Sequence, residues 1–449
     1  MKEEKKRMLN IRSNRTKLFA ALALILVVVM IGAAACASQP AAPAASQPAA
    51  QQPAAQAQQP AAQAQPTVAQ AQPAAKAQAP ASNAPSGLTS DAAKVKSEFF
   101  NQQDLDRQVR LLSVKPEGPA DKPWEQMLEP KMIDTAKFKK PGPYTLCFSN
   151  AGVNNPWRVV GYKTMQEEVK LHPEIKELVH VDAGGKDEKQ IADIADLVAS
   201  GKCDLLIVSP NTTAALTPAV EKACEKLPVV VFDRGVFTGC PVTFISPIGG
   251  YGFGYTGAKF ISDKLPNGGN VLALRILPGV DVLETRWAAA KQVFEKNPNL
   301  KVVGVEFTDG DNAKVKSIVS DYLDKYKTID AVWMDAGATS VAAIEAFEDR
   351  GAKLPIMNGE DQQDFLNKWQ SAKMTAISPT YPTFQWRTPI IAAMHILKGE
   401  QVPQTWTLPQ PTITQENLSQ YVQPNMPPLH YAMCGCEKMP NYPAAWGGK

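Results

Sequence analysis

Short apolar runs alternate with amphipathic stretches from residue 144 onward. The run 144–148 is rich in strand formers, a polar loop follows at 149–155, and Pro156 then fits the first turn of a helix, where its missing N–H costs nothing. Similar units repeat. The pattern predicts strands at 144–148, 178–181, 205–208, 229–232 and 242–245, with helices at 157–171, 187–200 and 213–225. A second series predicts strands at 271–274, 302–307, 331–334, 356–358 and 375–377, and helices at 253–264, 282–295, 313–326, 339–350 and 362–369. A last helix is expected at 382–397. The strands are short, continuous apolar runs, as in a parallel sheet covered on both faces. Two consecutive sets of five predict an α/β chain of two doubly wound parallel-sheet lobes.

The residues upstream read differently. Positions 91–141 form an N-terminal extension with one helix candidate at 92–112 and a Pro-rich approach to the first strand. Positions 37–90 are dominated by Ala, Gln and Pro, with Lys76 the only charge. Such a segment lacks the bulky apolar residues that offset ordering entropy, so a disordered tether is expected. Positions 1–36 carry a basic start, an apolar core at 18–31 too short to span a bilayer comfortably, and Gly32-Ala33-Ala34-Ala35-Cys36. Small residues ending in Cys resemble a bacterial lipobox, so a lipoprotein signal peptide with lipidation at Cys36 is expected. No later stretch is long and apolar enough for a transmembrane helix.

Composition narrows the classes. The chain has 449 residues and a formal net charge of +3, which gives no electrostatic case for nucleic acid. Beyond Cys36 there are six cysteines, Cys147, Cys203, Cys224, Cys240, Cys434 and Cys436; an even number in an exported chain permits disulfides without fixing the pairing. Cys224, near the far end of its helix, and Cys240, before the next strand, both fall on the bottom of the first lobe. Their bridge is the preferred pairing, with Cys203–Cys224 the alternative. There is no C-x-x-C pair, Cys434 and Cys436 are isolated, and the four His are scattered, so no metal is expected.

Polar residues recur just past the strand ends. Asn154, Asn155 and Trp157 follow the first strand, Asn211 and Thr212 the third, and Asp233-Arg234 the fourth. Asp335 follows the eighth, and Glu360-Asp361 the ninth. Each alone could cap a helix or form an ion pair. Together, at corresponding ends of parallel strands, they predict one polar crevice. Amides beside an indole suit a sugar, whose hydroxyls need paired hydrogen bonds and whose C–H face needs a flat partner. Trp287, next to Arg286, is the candidate for a second stacking plane. Gly252-Phe-Gly254-Tyr-Thr-Gly257 fits a dinucleotide fingerprint, but Arg275-Ile276-Leu277 stands where the next strand should end in an acidic residue. The glycines are therefore assigned to close packing, and no cofactor is expected. An exported hydrolase could recruit Glu284 or Glu360-Asp361, but there is no G-x-S-x-G and no His near a candidate nucleophile, so the chain is not read as an enzyme.

The segments FSNAGVNNPW, IVSPNTTAAL, PVVVFDR, ETRWAAAKQVF, AVWMDAG and NGED carry a family resemblance over residues 144–398. In order and spacing they resemble the sugar-binding type I periplasmic binding proteins, the ribose-binding-protein-like components of ABC importers. The resemblance implies that Asn155 bonds sugar hydroxyls and Trp157 stacks on the ring. Asp233, Arg234 and Asp361 would take further hydroxyls, with Asn211 in the loop after the third strand and Arg158 in place of a second aromatic. Glu284 stands where the family often has a ligand Arg, with Arg286 two residues on. Asp335 lies beside Ala336, which aligns with a family Asn. Gly310 aligns with an aromatic, and Gly249-Gly250 replaces an acidic residue and an amide. Tyr381 lies near a position usually filled by Gln. A ligand other than ribose is expected.

The family pattern puts the first lobe at 142–247 plus 381–398. It puts the second at 248–380 plus part of 399–430, with a crossing near Gly399 and a tail at 431–449. The resemblance implies a monomer that closes by hinge bending around a small polar solute and presents the closed form to a permease. It leaves open a chemoreceptor or sensor kinase as the partner, and an autoinducer or nucleoside as the ligand.

Overall fold

The computed structural model describes residues 87–449. The signal segment, Cys36 and nearly all of the Ala/Gln/Pro tether lie outside the described residues. In the N-terminal extension the expected helix at 92–112 is broken. Short 3-10 turns occupy Asp91–Ala93 and Ser97–Phe99, and helix α1 spans only Gln102–Leu111. Asn101 sets the start, because its side chain accepts the Asp104 N–H at 3.1 Å and caps the helix. The residues before it lie along a neighbouring lobe, where the carbonyls of Ala92 and Ala93 accept hydrogen bonds from Arg275 and the Trp287 indole. A short strand, β1 (Met132–Ile133), follows.

The first lobe is built on β2 (Tyr144–Asn150), β3 (Ile175–Asp182), β4 (Leu205–Ser209), β5 (Val229–Phe232) and β6 (Thr243–Pro247). The second uses β7 (Gly269–Arg275), β8 (Leu300–Phe307), β9 (Ala331–Met334), β10 (Ile356–Asn358) and β11 (Ala376–Pro379). Three short strands follow, β12 (Val402–Pro403), β13 (Thr405–Leu408) and β14 (Thr412–Ile413). The first sheet has the order β13-β6-β5-β4-β2-β3 and the second β14-β11-β10-β9-β7-β8. All their pairings are parallel except β11 with β14. Helices connect the strands on both faces, which makes each lobe doubly wound.

The continuous apolar runs are explained by burial on two sides. In the first lobe Leu146, Phe148, Ile207, Val230 and Phe232 belong to one core with Trp386 and Ile390, while Cys147, Leu206, Val208 and Val231 belong to another with Ile194, Leu216 and Val220. Each such side chain contributes about 1.5–3 kcal/mol when fully buried. The glycines of the weak dinucleotide pattern serve packing. A Cβ on Gly254 would run into the Arg286 backbone carbonyl, so the helices Tyr251–Lys264 and Asp281–Glu295 approach closely there.

The chain crosses between lobes after β6, after β11, and between Leu408 and Thr412. The third crossing is later than expected near Gly399, because β13 pairs with β6 and keeps 405–408 in the first lobe. The N-terminal extension ties the lobes as well. The residues around α1 pack on the second lobe, and the Leu128 N–H then reaches the Thr407 carbonyl at 2.8 Å. Cys147 is joined to Cys203, Cys224 to Cys240 and Cys434 to Cys436. The alternative Cys203–Cys224 bridge is ruled out because Cys203 is taken by β2.

Candidate ligand-binding cleft

The carboxyl ends of both sheets face one cleft of about 520 Å³. From the first lobe it is lined by Asn154, Asn155, Trp157, Arg158, Asn211, Asp233 and Arg234. From the second it is lined by Ile276, Leu277, Leu283, Arg286, Gly310 and Glu360, with Tyr381 at the crossing. Eight of the eleven residues picked from the sequence therefore meet here: Asn155, Trp157, Arg158, Asn211, Asp233, Arg234, Arg286 and Tyr381.

Local folding explains how the first-lobe side chains are placed. Asn155 caps the helix Pro156–Val169 by accepting the Arg158 N–H at 3.0 Å, so capping and cleft lining fall to the same residue. Arg158, 2% exposed, donates to Asn150 Oδ1 at 2.8 Å, Ser209 Oγ at 3.1 Å and Asp233 Oδ2 at 2.7 Å. Burial lowers its pKa to about 10, which leaves it charged at neutral pH. Asp233 thus has a fixed cation on one side. On the other side its Oδ1 and its carbonyl accept the Tyr381 hydroxyl at 3.2 and 2.9 Å. Arg234 donates to the Asn211 carbonyl.

Tyr381 links the lobes. Its ring is stacked on Trp157 with centroids 5.3 Å apart, and its carbonyl accepts the Trp157 indole N–H at 2.7 Å. The Arg286 guanidinium lies over the opposite side of the network, 4.5 Å from the Tyr381 ring centre and 4.0 Å from that of Phe253. A Cβ on Gly249 would overlap the Tyr381 ring, so the glycine pair at the first crossing makes room for the tyrosine at the second. Arg286 also donates to the carbonyls of Gly249 and Asp335, while its Nη2 has no hydrogen-bond partner. Direct contacts close the mouth: Asp281 of the second lobe accepts the Gly235 N–H of the first at 2.7 Å.

Three picked residues lie behind the wall. Glu284 accepts from Arg275 at 2.7 Å and from the Gly279 N–H at 2.7 Å, holding the loop after β7. Asp335 accepts the Ile276 N–H at 2.9 Å, and burial pushes its pKa up to about 7. Asp361 accepts the Met433 N–H at 2.7 Å and is turned toward the C-terminal tail. Position past a strand end places a residue near the cleft, but the side chain follows its nearest unsatisfied backbone donor. Trp287 is also no stacking plane, since it is fully buried with its N–H on the Ala93 carbonyl. The sequence reading passed over Asp281 and Tyr431. Asp281 opens a helix, where an acidic residue is ordinary; for Tyr431 no sequence signal pointed to the cleft. His430, Cys434 and Cys436 lie within 4.8 Å of one another, but the sulfurs are joined and offer no thiolate.

The model for the periplasmic binding protein domain matches residues 146–401. The chain belongs to that family. The ribose import binding protein of Bacillus subtilis is 28% identical over 274 residues, which is 61% of this chain and 88% of that protein. Among solved structures, an ABC transporter solute-binding protein from Bacillus halodurans with bound myo-inositol aligns with a TM-score of 0.57 at 21% identity, covering 63% of this chain and 98% of that one. The fructose-binding periplasmic domain of a hybrid two-component system aligns with a TM-score of 0.57 at 22% identity, over 62% and 93%.

The Arg158–Asp233 pair has a testable energetic signature. Arg158→Ala is expected to cost about 3–5 kcal/mol, because it leaves Asp233 buried without its cation. Arg158→Met combined with Asp233→Asn, which keeps an acceptor for Ser209 and Tyr381 and suits the positive φ at 233, is expected to recover most of that loss in urea unfolding. Additive losses in the double variant would contradict the pairing.

Proposed function

We propose that the chain is an extracytoplasmic solute-binding protein that captures a small polar solute, a monosaccharide foremost, and delivers it to the permease of an ABC importer. The observation that carries this reading is the cleft itself. It lies between two lobes, at the carboxyl ends of both sheets, and is lined by guanidinium, carboxylate and amide groups beside aromatic rings. Ring hydroxyls both donate and accept, so they need such mixed partners. The ligands of the relatives, ribose, myo-inositol and fructose, share this chemistry. The cleft is lined by no histidine, and Asp233 is tied to Arg158, which favours binding without turnover.

The solute enters when the lobes part at the three crossings and is enclosed when they close. The protein acts as a monomer. Among the described residues no helix is long and apolar enough to cross a membrane. Anchoring instead falls to lipidated Cys36, with 37–86 as the tether; residues 87–90, expected to belong to it, form a 3-10 turn packed on β8 instead. Delivery to a sensor kinase is the second reading, favoured by the likeness to the two-component periplasmic domain.

A thermal-shift screen of ribose, fructose, myo-inositol, nucleosides and amino acids tests the ligand class. A sugar at a hundredfold excess over its Kd contributes about 2.7 kcal/mol to the folded state and is expected to raise the melting temperature by several degrees. A response to nucleosides or amino acids alone would contradict the sugar reading.

Closure should also sense protons. Burial, with Asp233 nearby and the backbone donors Gly235 and Val282 and the charge of Arg234 opposing, pushes the Asp281 carboxyl up to about 6. A carboxyl whose pKa is raised on closing disfavours the closed form above that value. The penalty shrinks as pH falls through 6 and vanishes below the ordinary aspartate range. Sugar affinity measured by calorimetry is therefore expected to rise up to about tenfold from pH 7.5 to 5. Asp281→Asn should flatten this dependence; an unchanged slope would remove Asp281 from the closure equilibrium.

A further inference from the structure

The family match ends at residue 401, yet the chain continues for nearly fifty residues that fold back onto the cleft. The tail is fastened at several points around the second-lobe loop after β10. Asp361 accepts the Met433 N–H through its side chain and the Ala432 N–H through its carbonyl. The N–H groups of Gln363 and Asp364 donate to the carbonyls of His430 and Pro428, at 2.8 and 2.7 Å. Gln362 and Tyr431 form an antiparallel bridge. On the first-lobe side the Trp446 indole donates to Thr164 at 3.1 Å, and the Phe384 N–H reaches the Met433 carbonyl at 3.0 Å.

These fastenings place one tail side chain, Tyr431, in the cleft wall beside Glu360 and Arg286. Tyr431 is fully buried, and its hydroxyl lies against the Glu360 carboxyl without reaching good hydrogen-bonding geometry. Burial and the nearby Glu360 and Asp361 carboxyls keep it protonated, so it remains a donor. Arg286 Nη2 is a buried donor without a partner on the same wall. Buried polar groups are nearly always paired, since leaving one unpaired costs about 1–3 kcal/mol. The free Arg286 nitrogen, the loosely held Tyr431 hydroxyl and the Glu360 carboxyl, converging on one cleft, form a set that a sugar hydroxyl can satisfy by accepting from the donors and donating to the carboxyl.

We propose that Tyr431 is a ligand-contacting, specificity-determining residue, supplied to the sugar cleft by a tail outside the family domain. This rests on the sugar-binding reading above. Asp361 then acts as a positioning residue: its carboxylate fastens the tail and leaves the contact with the solute to Tyr431. The expected ligand is a cyclic polyol with a hydroxyl directed at the second lobe between Glu360 and Arg286.

The test uses the full chain and Tyr431→Phe, titrated calorimetrically with D-ribose, D-fructose and myo-inositol. Any of these sugars that binds the wild type is expected to bind Tyr431→Phe at least about tenfold more weakly, the loss of one buried hydrogen bond. The melting temperature of the variant without sugar should stay close to that of the wild type, because the hydroxyl's contact with Glu360 falls short of good hydrogen-bonding geometry. Equal affinity in the two proteins would overturn the assignment. So would a melting temperature that falls along with the affinity, which marks a structural hydroxyl. Wild-type silence toward all three sugars would overturn the sugar reading and this assignment together.

Discussion

The phenol of Tyr381 holds the two halves of the cleft in register. Its ring packs against an indole from the first lobe and a guanidinium from the second, and its hydroxyl ends on Asp233. Much of the surrounding sequence follows from that placement. Gly249 has to lack a side chain, Trp157 turns its N–H toward the Tyr381 carbonyl, and Asp233 is held between Tyr381 and Arg158. Aromatic and cation–π contacts of this kind are worth about 0.5–2 kcal/mol each. Their larger effect is geometric, since one rigid ring at a crossing sets the spacing of both walls.

Charge is arranged on the same principle. Removing an ion from water costs several kcal/mol, so buried charges persist only with close partners. Arg158 has Asp233, Arg275 has Glu284, and Arg387 has Glu168. Arg286 is the exception: two backbone carbonyls hold it, Glu360 lies 3.7 Å away, and one of its nitrogens is left over for the cleft. The lobes are thus stabilised by these pairs, while Arg286 keeps one hydrogen-bonding nitrogen on the cleft wall. The N-terminal extension and the C-terminal tail reinforce this arrangement from outside, each making contacts with both lobes.

The architecture was legible because parallel strands buried on both faces leave continuous apolar runs, and every run from 144 to 377 became a strand. The cleft was legible to the extent that loop position implies it. Asn155 and Asp233 could be placed from their position past a strand end, and Arg158 from the family resemblance. Asp335 and Asp361 also follow a strand end, and Glu284 aligns with a family ligand, but they bind the Ile276 N–H, the Met433 N–H and Arg275 instead. Side-chain direction depends on which partner lies closest in space, and linear spacing does not encode it. The broken helix at 92–112 has a similar cause, since carbonyls of Ala92 and Ala93 are drawn to the second lobe and Asn101 restarts the helix. Tyr431 was invisible because its role depends on a tail folding back across a lobe, and nothing in its local pattern marks it.

A crystal structure of the chain grown with the sugar that most raises its melting temperature tests the central claim most directly. The account predicts a single sugar enclosed between the Arg158–Asp233 pair and the Arg286–Glu360 wall, with Tyr381 beside it. A sugar bound outside this cleft, or lobes closed over a cleft that excludes it, would contradict the account.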